Sequence, residues 1–287
     1  MVSKPEFIDA VAEMIRRAET RVPADVTQAL ESCLVRERVP VAKLQLKLAL
    51  KNLQMAKRSV APVCQDTGIF SFFVKGGANL GFDIAAAVRK AVEIATKEVP
   101  LRGNAVDPIT RKPYPSNTGP FQPAVHIEPA GGSGLEIRLL VKGAGTENYS
   151  RLFMLKPTAG VKAIHHALSM VLAEAGGKIC PPVVAGIGIG GSAEVAPMLA
   201  KKALLRSISK SNPDRSLARL ERELERSANQ LGVGPMGLGG RCTVLRVFVE
   251  RAACHTATLP VAMAFQCWPA RRAKAELARG KLKVVEP

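Results

Sequence analysis

Residues 62–68 (PVCQDTG) form the segment that most constrains the fold of this chain. The segment places a thiol, an amide, a carboxylate and a hydroxyl side by side and ends in glycine. A buried core has little use for such a run, because each polar group would need a hydrogen-bond partner. The apolar run at 69–74 follows directly and predicts a buried strand. We therefore predict a short loop that offers a soft metal ligand and hard polar groups to one small site.

Two further cysteines have unusual neighbours, with Cys180 in Ile-Cys-Pro-Pro and Cys267 in Ala-Phe-Gln-Cys-Trp. Together with Cys64 they are well separated and form no C-x-x-C pair, which argues against structural zinc and does not match ferredoxin spacing. Three thiolates are one too few to fill a [4Fe–4S] cube, so a fourth iron would be open to act as a Lewis acid. We predict that the three thiols converge on one metal cluster.

The composition bounds the class of protein. The chain has 287 residues, of which 47% are hydrophobic and only 4% aromatic, so we expect an aliphatic core in one large domain or two modest ones. No apolar run approaches the roughly 20 residues that span a bilayer, and the N-terminus lacks a signal-peptide pattern. These features predict a cytoplasmic protein. Six cysteines scattered through a large chain favour reduced thiols or metal ligands over disulfides.

The formal net charge of +17 is compatible with nucleic acid, an anionic substrate or an acidic partner subunit. The positive residues are spread over many segments, and RNP-type and zinc-finger signatures are absent. We therefore disfavour nucleic-acid binding, although a non-enzymatic basic nucleic-acid-binding protein stays open as a distant alternative.

The periodicity predicts an α/β (mixed α+β) fold: a helical N-terminal layer, residues 1–60, packed on a mixed β-sheet core with surrounding helices. We expect a single domain over 1–287, with an α/β core at 61–280 that carries the cluster site. Predicted helices lie at 83–98, 159–175, 193–206, 214–231 and, as a basic final helix, 270–278. Predicted strands lie at 69–74, at 125–128 and 135–141 (paired across the glycine-rich segment 131–134), at 243–250 and at 259–265.

Gly186, Gly188 and Gly191 fit G-x-G-x-x-G between a predicted strand and a predicted helix. This pattern is typical of dinucleotide sites, but it lies past the middle of the chain and no second strand ending in an acidic residue follows. We expect no dinucleotide binding, which a cofactor titration would detect. The glycines are interpreted instead as points of close backbone approach, before a helix N-terminus that faces an anion.

Five motifs occur in one order: CQDTG, the glycine turn at 142–148, CPP followed by GIGIGG, GPMGLGG, and HTATLPVA followed by the last cysteine. From about residue 10 to 280 the chain resembles the α subunit, or N-terminal half, of the class I iron–sulfur hydro-lyases. These are class I fumarate hydratase and the related L-tartrate dehydratase. The resemblance implies a fold like the N-terminal domain of class I fumarase.

The resemblance also implies a ligand set for a [4Fe–4S] cluster, namely Cys64, Cys180 and Cys267. Cys254 is the rival for the third position. Cys267 is preferred because the last ligand of the family follows a Pro-Val apolar strand, as Cys267 follows Pro260-Val261. The remaining cysteines, Cys33, Cys242 and Cys254, are then expected to be small buried hydrophobic residues.

Further roles follow from the same resemblance. Gln65 and Asp66 match residues that contact substrate, and Asp66 would donate or relay a proton. Arg102 matches an arginine that binds a carboxylate, and His255, twelve residues before Cys267, matches an active-site histidine. A hydrogen-bonded histidine at a strand end is the structural alternative for His255. The substrate-binding residues implied by the motifs are Gln65, Asp66, Arg102, Gly143 and Gly145, the glycines acting through backbone N–H.

The implied reaction is the reversible addition of water to the double bond of a dicarboxylate, with fumarate hydration to L-malate as the first prediction. An α subunit of L-tartrate dehydratase or another hydroxy-diacid dehydratase is the alternative. In the family the catalytic base lies in the C-terminal domain, which implies either that a separate β subunit completes the site or that this polypeptide is inactive alone. We expect a dimer of α subunits or an α2β2 assembly acting on a small dicarboxylate, with no nucleic acid and no membrane.

Overall fold

The computed structural model describes residues 2–76, 80–131 and 134–286. The chain divides into two compact units. Met1–Pro23, Asn52–Gly143 and Arg271–Pro287 make up the first unit, and Ala24–Lys51 and Ala144–Ala270 the second. The predicted helical layer at 1–60 is therefore shared between the units. Of the described helices, not one combines the length and the apolar character needed to cross a membrane.

Of the described elements, three helices open the chain, four strands close it, and helices and strands are mixed in between, as expected for the predicted mixed α/β class. The helices are α1 (Lys4–Thr20), α2 (Ala24–Arg36), α3 (Pro40–Ser59), α4 (Ile84–Glu98), α5 (Ala144–Glu147), α6 (Gly160–Ala175), α7 (Val195–Ala203) and α8 (Arg215–Gln230). The strands are β1 (Ile69–Gly76), β2 (Ala124–Glu128), β3 (Leu135–Lys142), β4 (Arg151–Leu155), β5 (Val183–Gly191), β6 (Val244–Cys254), β7 (Leu259–Gln266), β8 (Arg272–Ala278) and β9 (Lys281–Glu286).

The first unit contains a five-stranded mixed sheet in the order β2-β1-β3-β8-β9. Helices α1 and α4 supply the apolar cover, and both begin at a side-chain cap, Ser3 and Asp83 respectively. The apolar face of α1, including Phe7, Val11 and Ile15, joins the inward side chains of β1 in one buried cluster. This core is mostly aliphatic, as the composition predicts.

The second unit contains a four-stranded mixed sheet in the order β4-β7-β5-β6. Strand β5 pairs parallel with β6 and antiparallel with β7. Buried side chains of α6, including Leu168 and Leu172, and Leu224 and Ala228 of α8 form one cluster with the sheet. The side chain of Asp214 caps α8 by accepting from the amides of Ser216 and Leu217.

Most element predictions are confirmed, but the predicted helix at 270–278 is wrong. Residues 272–278 form strand β8, in which Ala273 and Ala275 are buried while Lys274 and Glu276 are more exposed. Alanine, lysine and glutamate favour helices in isolation. Pairing with β3 and β9 overrides that preference, and the two-residue alternation of burial marks the strand.

The predicted pairing of 125–128 with 135–141 is also wrong, although both strands exist. Strand β1 lies between them, parallel to β2 and antiparallel to β3. Two strands close in sequence usually pair as a hairpin, but here the buried β1 accepts both as neighbours. Residues 132 and 133 of the predicted turn lie outside the described residues.

Two expectations about cysteines are corrected. Cys33 and Cys242 are buried as expected, but they form a disulfide across a sequence separation of 209 residues. Such a separation gives no sequence signal, because the bond depends on how the second unit brings the start of β6 to α2. Cys254, expected to be buried, is exposed at the end of β6.

Candidate functional site

The CQDTG loop of the first unit is fixed by its own polar groups. The Asp66 carboxylate accepts from the backbone amide of Gly68 at 2.9 Å, which closes a tight turn. Gly68 has φ +74°, and a Cβ at this position would lie 2.5 Å from the Lys142 carbonyl oxygen. The motif therefore ends in glycine because both the conformation and the space exclude a side chain.

A second segment of the first unit, residues 102–104, is hydrogen-bonded to this loop. The Thr67 hydroxyl accepts from the backbone amide of Arg102 at 3.1 Å and from the side-chain amide of Asn104 at 3.2 Å. Asn104 also donates to the Gly68 carbonyl at 3.0 Å. The threonine of the motif thus places Arg102 beside the loop.

An open cleft of about 580 Å³ lies over this junction. Its lining includes Cys64, Gln65 and Arg102, residues that carry a thiol, an amide and a guanidinium. Gln65 and Arg102 are exposed, so both are available to a polar ligand. The complete lining consists of Pro62, Cys64, Gln65, Thr67, Pro100, Leu101 and Arg102.

Gly143, at the end of β3, approaches the same loop. A Cβ on Gly143 would lie 3.0 Å from the second oxygen of the Asp66 carboxylate. The structure thus gathers Cys64, Gln65, Asp66, Arg102 and Gly143 around one loop of the first unit. Gly145 belongs to the second unit, in α5, where a Cβ would lie 2.7 Å from the Lys178 carbonyl oxygen.

A buried ion pair that the sequence analysis missed lies against the loop. The guanidinium of Arg271 donates to the Glu19 carboxylate at 2.6 Å and to the Asp66 carbonyl at 2.8 Å. Burial raises the pKa of Glu19 to about 7, although the neighbouring Arg271 lowers it. The sequence did contain a signal that Glu19 is buried, because this residue continues the four-residue spacing of the apolar face formed by Phe7, Val11 and Ile15.

The other two predicted ligands, Cys180 and Cys267, meet in the second unit. The backbone amide of Trp268 donates to the Cys180 carbonyl at 3.2 Å, so the two cysteine segments are adjacent. Cys180 is exposed and has φ +51°, which is uncommon for a residue with a side chain. Neither cysteine is part of a disulfide. Both cysteines therefore lie at the edge of the sheet where β5 begins and β7 ends.

The GPMGLGG loop braces this edge through its backbone. The amide of Met236 donates to the Pro181 carbonyl at 2.8 Å. A Cβ at Gly237 would lie 2.6 Å from the Cα of Gly177, and one at Gly177 would lie 2.6 Å from the Met236 carbonyl oxygen. Glycines let these two backbones touch directly, which fixes the segment that carries Cys180.

Cys254 and His255 lie at the opposite end of the same sheet. Val184 pairs with Gln266 at one end, while Gly191 pairs with Cys254 at the other. The ends of an eight-residue strand such as β7 lie about 23 Å apart. Within the second unit, Cys267 rather than Cys254 is therefore the neighbour of Cys180, and His255 is remote from both Cys180 and Cys267.

The donor set suits a cluster held by thiolates, although the described part of the chain contains no group of three or more His, Cys, Asp or Glu side chains placed to hold a metal ion. Cys64 belongs to the first unit, and Cys180 and Cys267 belong to the second. Soft thiolates outside any disulfide are the ligands that iron–sulfur clusters use. Convergence of all three thiols stays a prediction.

The GIGIGG segment forms strand β5, and its glycines serve helix packing. A Cβ at Gly186 would lie 2.1 Å from the Ala200 carbonyl oxygen, and one at Gly188 would lie 2.0 Å from that of Ala196. Helix α7 therefore sits directly on the strand backbone. The prediction of close backbone approach is confirmed.

Comparisons with known proteins agree with this arrangement of motifs. The model of the family described as "Fumarate hydratase (Fumerase)" matches residues 8–276. A Methanocaldococcus jannaschii protein named "Putative L(+)-tartrate dehydratase subunit alpha" is 45% identical over 271 residues, covering 92% of this chain and 95% of that protein. The L(+)-tartrate dehydratase subunit alpha of Escherichia coli UTI89 is 36% identical over 275 residues, covering 93% and 89%. Because these matches span nearly the whole chain, it belongs to the fumarate hydratase (Fumerase) family.

Proposed function

We propose that this chain is the α subunit of a hydro-lyase that dehydrates L-(+)-tartrate. The relatives carry the proposal, since several are named as tartrate dehydratase α subunits and match along almost their whole length. Fumarate hydration is the first prediction from the sequence, and these relatives favour its alternative, tartrate dehydration. Fumarate stays the second candidate, because the matching family is described as fumarate hydratase.

We further propose a [4Fe–4S] cluster held by Cys64, Cys180 and Cys267. When bound, such a cluster supplies a Lewis-acidic iron that makes a substrate hydroxyl a better leaving group. The support is the donor chemistry: Cys180 and Cys267 share one edge of the second unit, while Cys64 lines the cleft of the first.

The residues around the cleft have separate tasks in this proposal. Arg102 and the backbone amide of Gly143 bind substrate carboxylates, for which charge-assisted hydrogen bonds are well suited. Gln65 orients the substrate through its amide. Asp66 holds the proton that departs with the hydroxyl as water, while a base on another chain removes the proton from the neighbouring carbon.

A β subunit would complete the site. The relatives are named α subunits, and the charge of +17 suits an acidic partner as well as a dianionic substrate. His255 and Cys267 flank opposite ends of β7, a strand of eight residues that spans about 23 Å within the second unit. A role for His255 at the cluster would therefore require the histidine of a second α subunit, in line with the predicted dimer or α2β2 assembly.

The proposal is tested by anaerobic co-expression with a candidate β subunit, the product of a neighbouring gene, followed by assays with L-(+)-tartrate, L-malate and fumarate. We expect a brown protein that dehydrates tartrate faster than it interconverts malate and fumarate. Faster turnover of fumarate would replace tartrate with the second candidate. A colourless protein, inactive on all three acids, would reject the proposal.

The ligand set is tested by replacing each cysteine with serine. We expect Cys64→Ser, Cys180→Ser and Cys267→Ser each to abolish the visible absorption of the cluster. Cys254→Ser is the matched control and should leave the absorption unchanged, because Cys254 lies at the far end of the sheet from Cys267. Loss of the cluster in Cys254→Ser but not in Cys267→Ser would overturn the assignment.

A further inference from the structure

Arg271 is a buried cation with two distinct partners in the first unit. Its side chain is 1% exposed, and its two terminal nitrogens point to different groups. One donates to the Glu19 carboxylate at 2.6 Å and the other to the Asp66 carbonyl at 2.8 Å. Because the guanidinium carries two terminal nitrogens in a fixed plane, Arg271 can bond the end of α1 and the CQDTG loop at the same time. A lysine, with a single nitrogen, would hold the two less firmly.

Glu19 holds the other end of the same loop. Its backbone carbonyl accepts from the amide of Val63 at 2.8 Å, and its side chain is fully buried in the last turn of α1. The Val63 carbonyl in turn accepts from the side-chain amide of Asn52 at 2.7 Å. Both ends of the segment 63–66 are thus hydrogen-bonded to the buried pair, Val63 to Glu19 and Asp66 to Arg271.

The pair also lies beside the proposed substrate groups. A Cβ on Gly143 would be 4.0 Å from a terminal nitrogen of Arg271 and 3.0 Å from the Asp66 carboxylate. Hydrogen bonds to charged groups are stronger than neutral ones, and a charge buried without its partner is costly. The Arg271–Glu19 pair therefore has both the location and the strength to fix the loop.

We infer that Arg271 and Glu19 are positioning residues, which hold Cys64, Gln65 and Asp66 in the geometry that the cleft needs. Neither residue lines the cleft, so both act through the loop. The functional half of this inference rests on the proposed dehydratase activity. The structural half, that the pair fixes the loop, does not depend on activity.

The structural part of the inference is tested with Arg271→Lys. Lysine keeps a positive charge beside Glu19 but offers one nitrogen where arginine uses two, so the bond to the Asp66 carbonyl should be lost. Hydrogen–deuterium exchange of the full α chain, without cluster or partner, is measured on peptides covering 63–68 and 69–76. We expect exchange of the loop amides to rise at least tenfold and exchange of β1 to stay unchanged. Unchanged protection of the loop would overturn the inference.

Arg272→Lys is the matched control. Arg272 is next in sequence and 2% exposed, and it pairs with Glu286 at 2.9 Å. We expect this variant to leave the loop peptides as protected as in the parent chain. An equal rise in loop exchange in both variants would show a general effect of disturbing a buried arginine, and would also overturn the inference.

The functional half is measured on the assembled α–β enzyme. We expect Arg271→Lys to lower kcat at least tenfold and to raise KM by a smaller factor, because Gln65 and Asp66 lose their position while Arg102 keeps its charge. Glu19→Gln should also lower kcat. If exchange of the loop rises in Arg271→Lys but kcat stays unchanged, the pair fixes the loop without being needed for catalysis, and the functional part of the inference is rejected. If the parent enzyme turns over none of the three acids, the proposed function fails, and the exchange data still decide whether the pair fixes the loop.

Discussion

The two regions that carry the predicted cluster ligands are built in different ways. In the first unit, the CQDTG loop is held by side chains: Thr67 to Arg102 and Asn104, and Arg271 to Asp66. In the second unit, the Cys180 edge is held by backbones in direct contact, through Gly177 and Gly237. The first region depends on charge and hydrogen bonding in addition to one glycine, Gly68, whereas the second depends mainly on the absence of side chains.

Because the two regions are held in different ways, they should tolerate different kinds of substitution. Changes of charge or of hydrogen-bonding capacity should damage the first region, which also excludes a side chain at Gly68, whereas the second region should be sensitive chiefly to an added methyl group. The contrast can be tested with single substitutions that leave the rest of each unit alone.

The largest effect is expected for Gly188→Ala in the second unit. The added Cβ would lie 2.0 Å from the Ala196 carbonyl oxygen, so α7 must move off the strand. We expect the free energy of unfolding to fall by about 3 kcal/mol or more, measured by denaturant titration. Gly131→Ala is the control, since its Cβ meets nothing within 4 Å. Equal stability of the two variants would show that the second unit tolerates an added methyl group where α7 lies on β5.

A pH-dependent effect is expected for Glu19 in the first unit, where Arg271 and Asp66 are the charged groups that face it. Because its pKa is raised from 4.5 to about 7 by burial, the folded chain binds this proton more tightly than the unfolded chain. Stability from this group is complete below pH 4.5 and is lost as the pH rises through about 7, by on the order of 3 kcal/mol.

Glu19→Gln should remove this slope. Unfolding free energies measured from pH 4.5 to 7.5 should fall with pH in the parent chain and stay flatter in the variant. Parallel pH profiles would show that Glu19 titrates at its ordinary pKa in the folded chain.

A moderate effect is expected for Arg102→Met. Losing a charged hydrogen-bond donor to a substrate carboxylate should cost about 2 kcal/mol of binding, or roughly a thirtyfold rise in KM. The melting temperature should hardly change, because Arg102 is exposed. A KM that stays at the parent value would remove Arg102 from the substrate site.

The smallest effect is expected for Thr67→Val, which keeps the shape of the side chain but removes the hydroxyl. The amides of Arg102 and Asn104 then lose an acceptor, at a cost of about 1 kcal/mol. Thermal unfolding of the α chain alone measures this cost. A variant as stable as the parent would mean that the hydroxyl contributes little to holding the loop.

Local pattern was sufficient for much of the fold. The apolar spacing of α4, α6 and α8 and the apolar runs of β1 and β7 predicted these elements, because burial repeats with the period of the element. Strand β8 was predicted as a helix, and its alanine, lysine and glutamate favour a helix in isolation, whereas the strand depends on pairing with β3 and β9. The position of β1 between β2 and β3 depends on the whole sheet, which no local pattern encodes.

The candidate site was predictable where a motif is contiguous. Cys64, Gln65 and Asp66 were found together because they are adjacent, and Arg102 through the family resemblance. Arg271 was missed because its partners lie 252 and 205 residues away in sequence. Cys254 was wrongly expected to be buried, because a cysteine near a strand end shows no sequence signal of its exposure.

The Cys33–Cys242 bond has a practical consequence for any experiment that cuts the chain. It closes a covalent loop over a sequence separation of 209 residues, within which most of the second unit lies. A protease that cleaves once between these cysteines would leave two fragments that still migrate together on a gel without reductant. Adding reductant would release them, so a nicked molecule would pass for an intact one until its thiols are reduced.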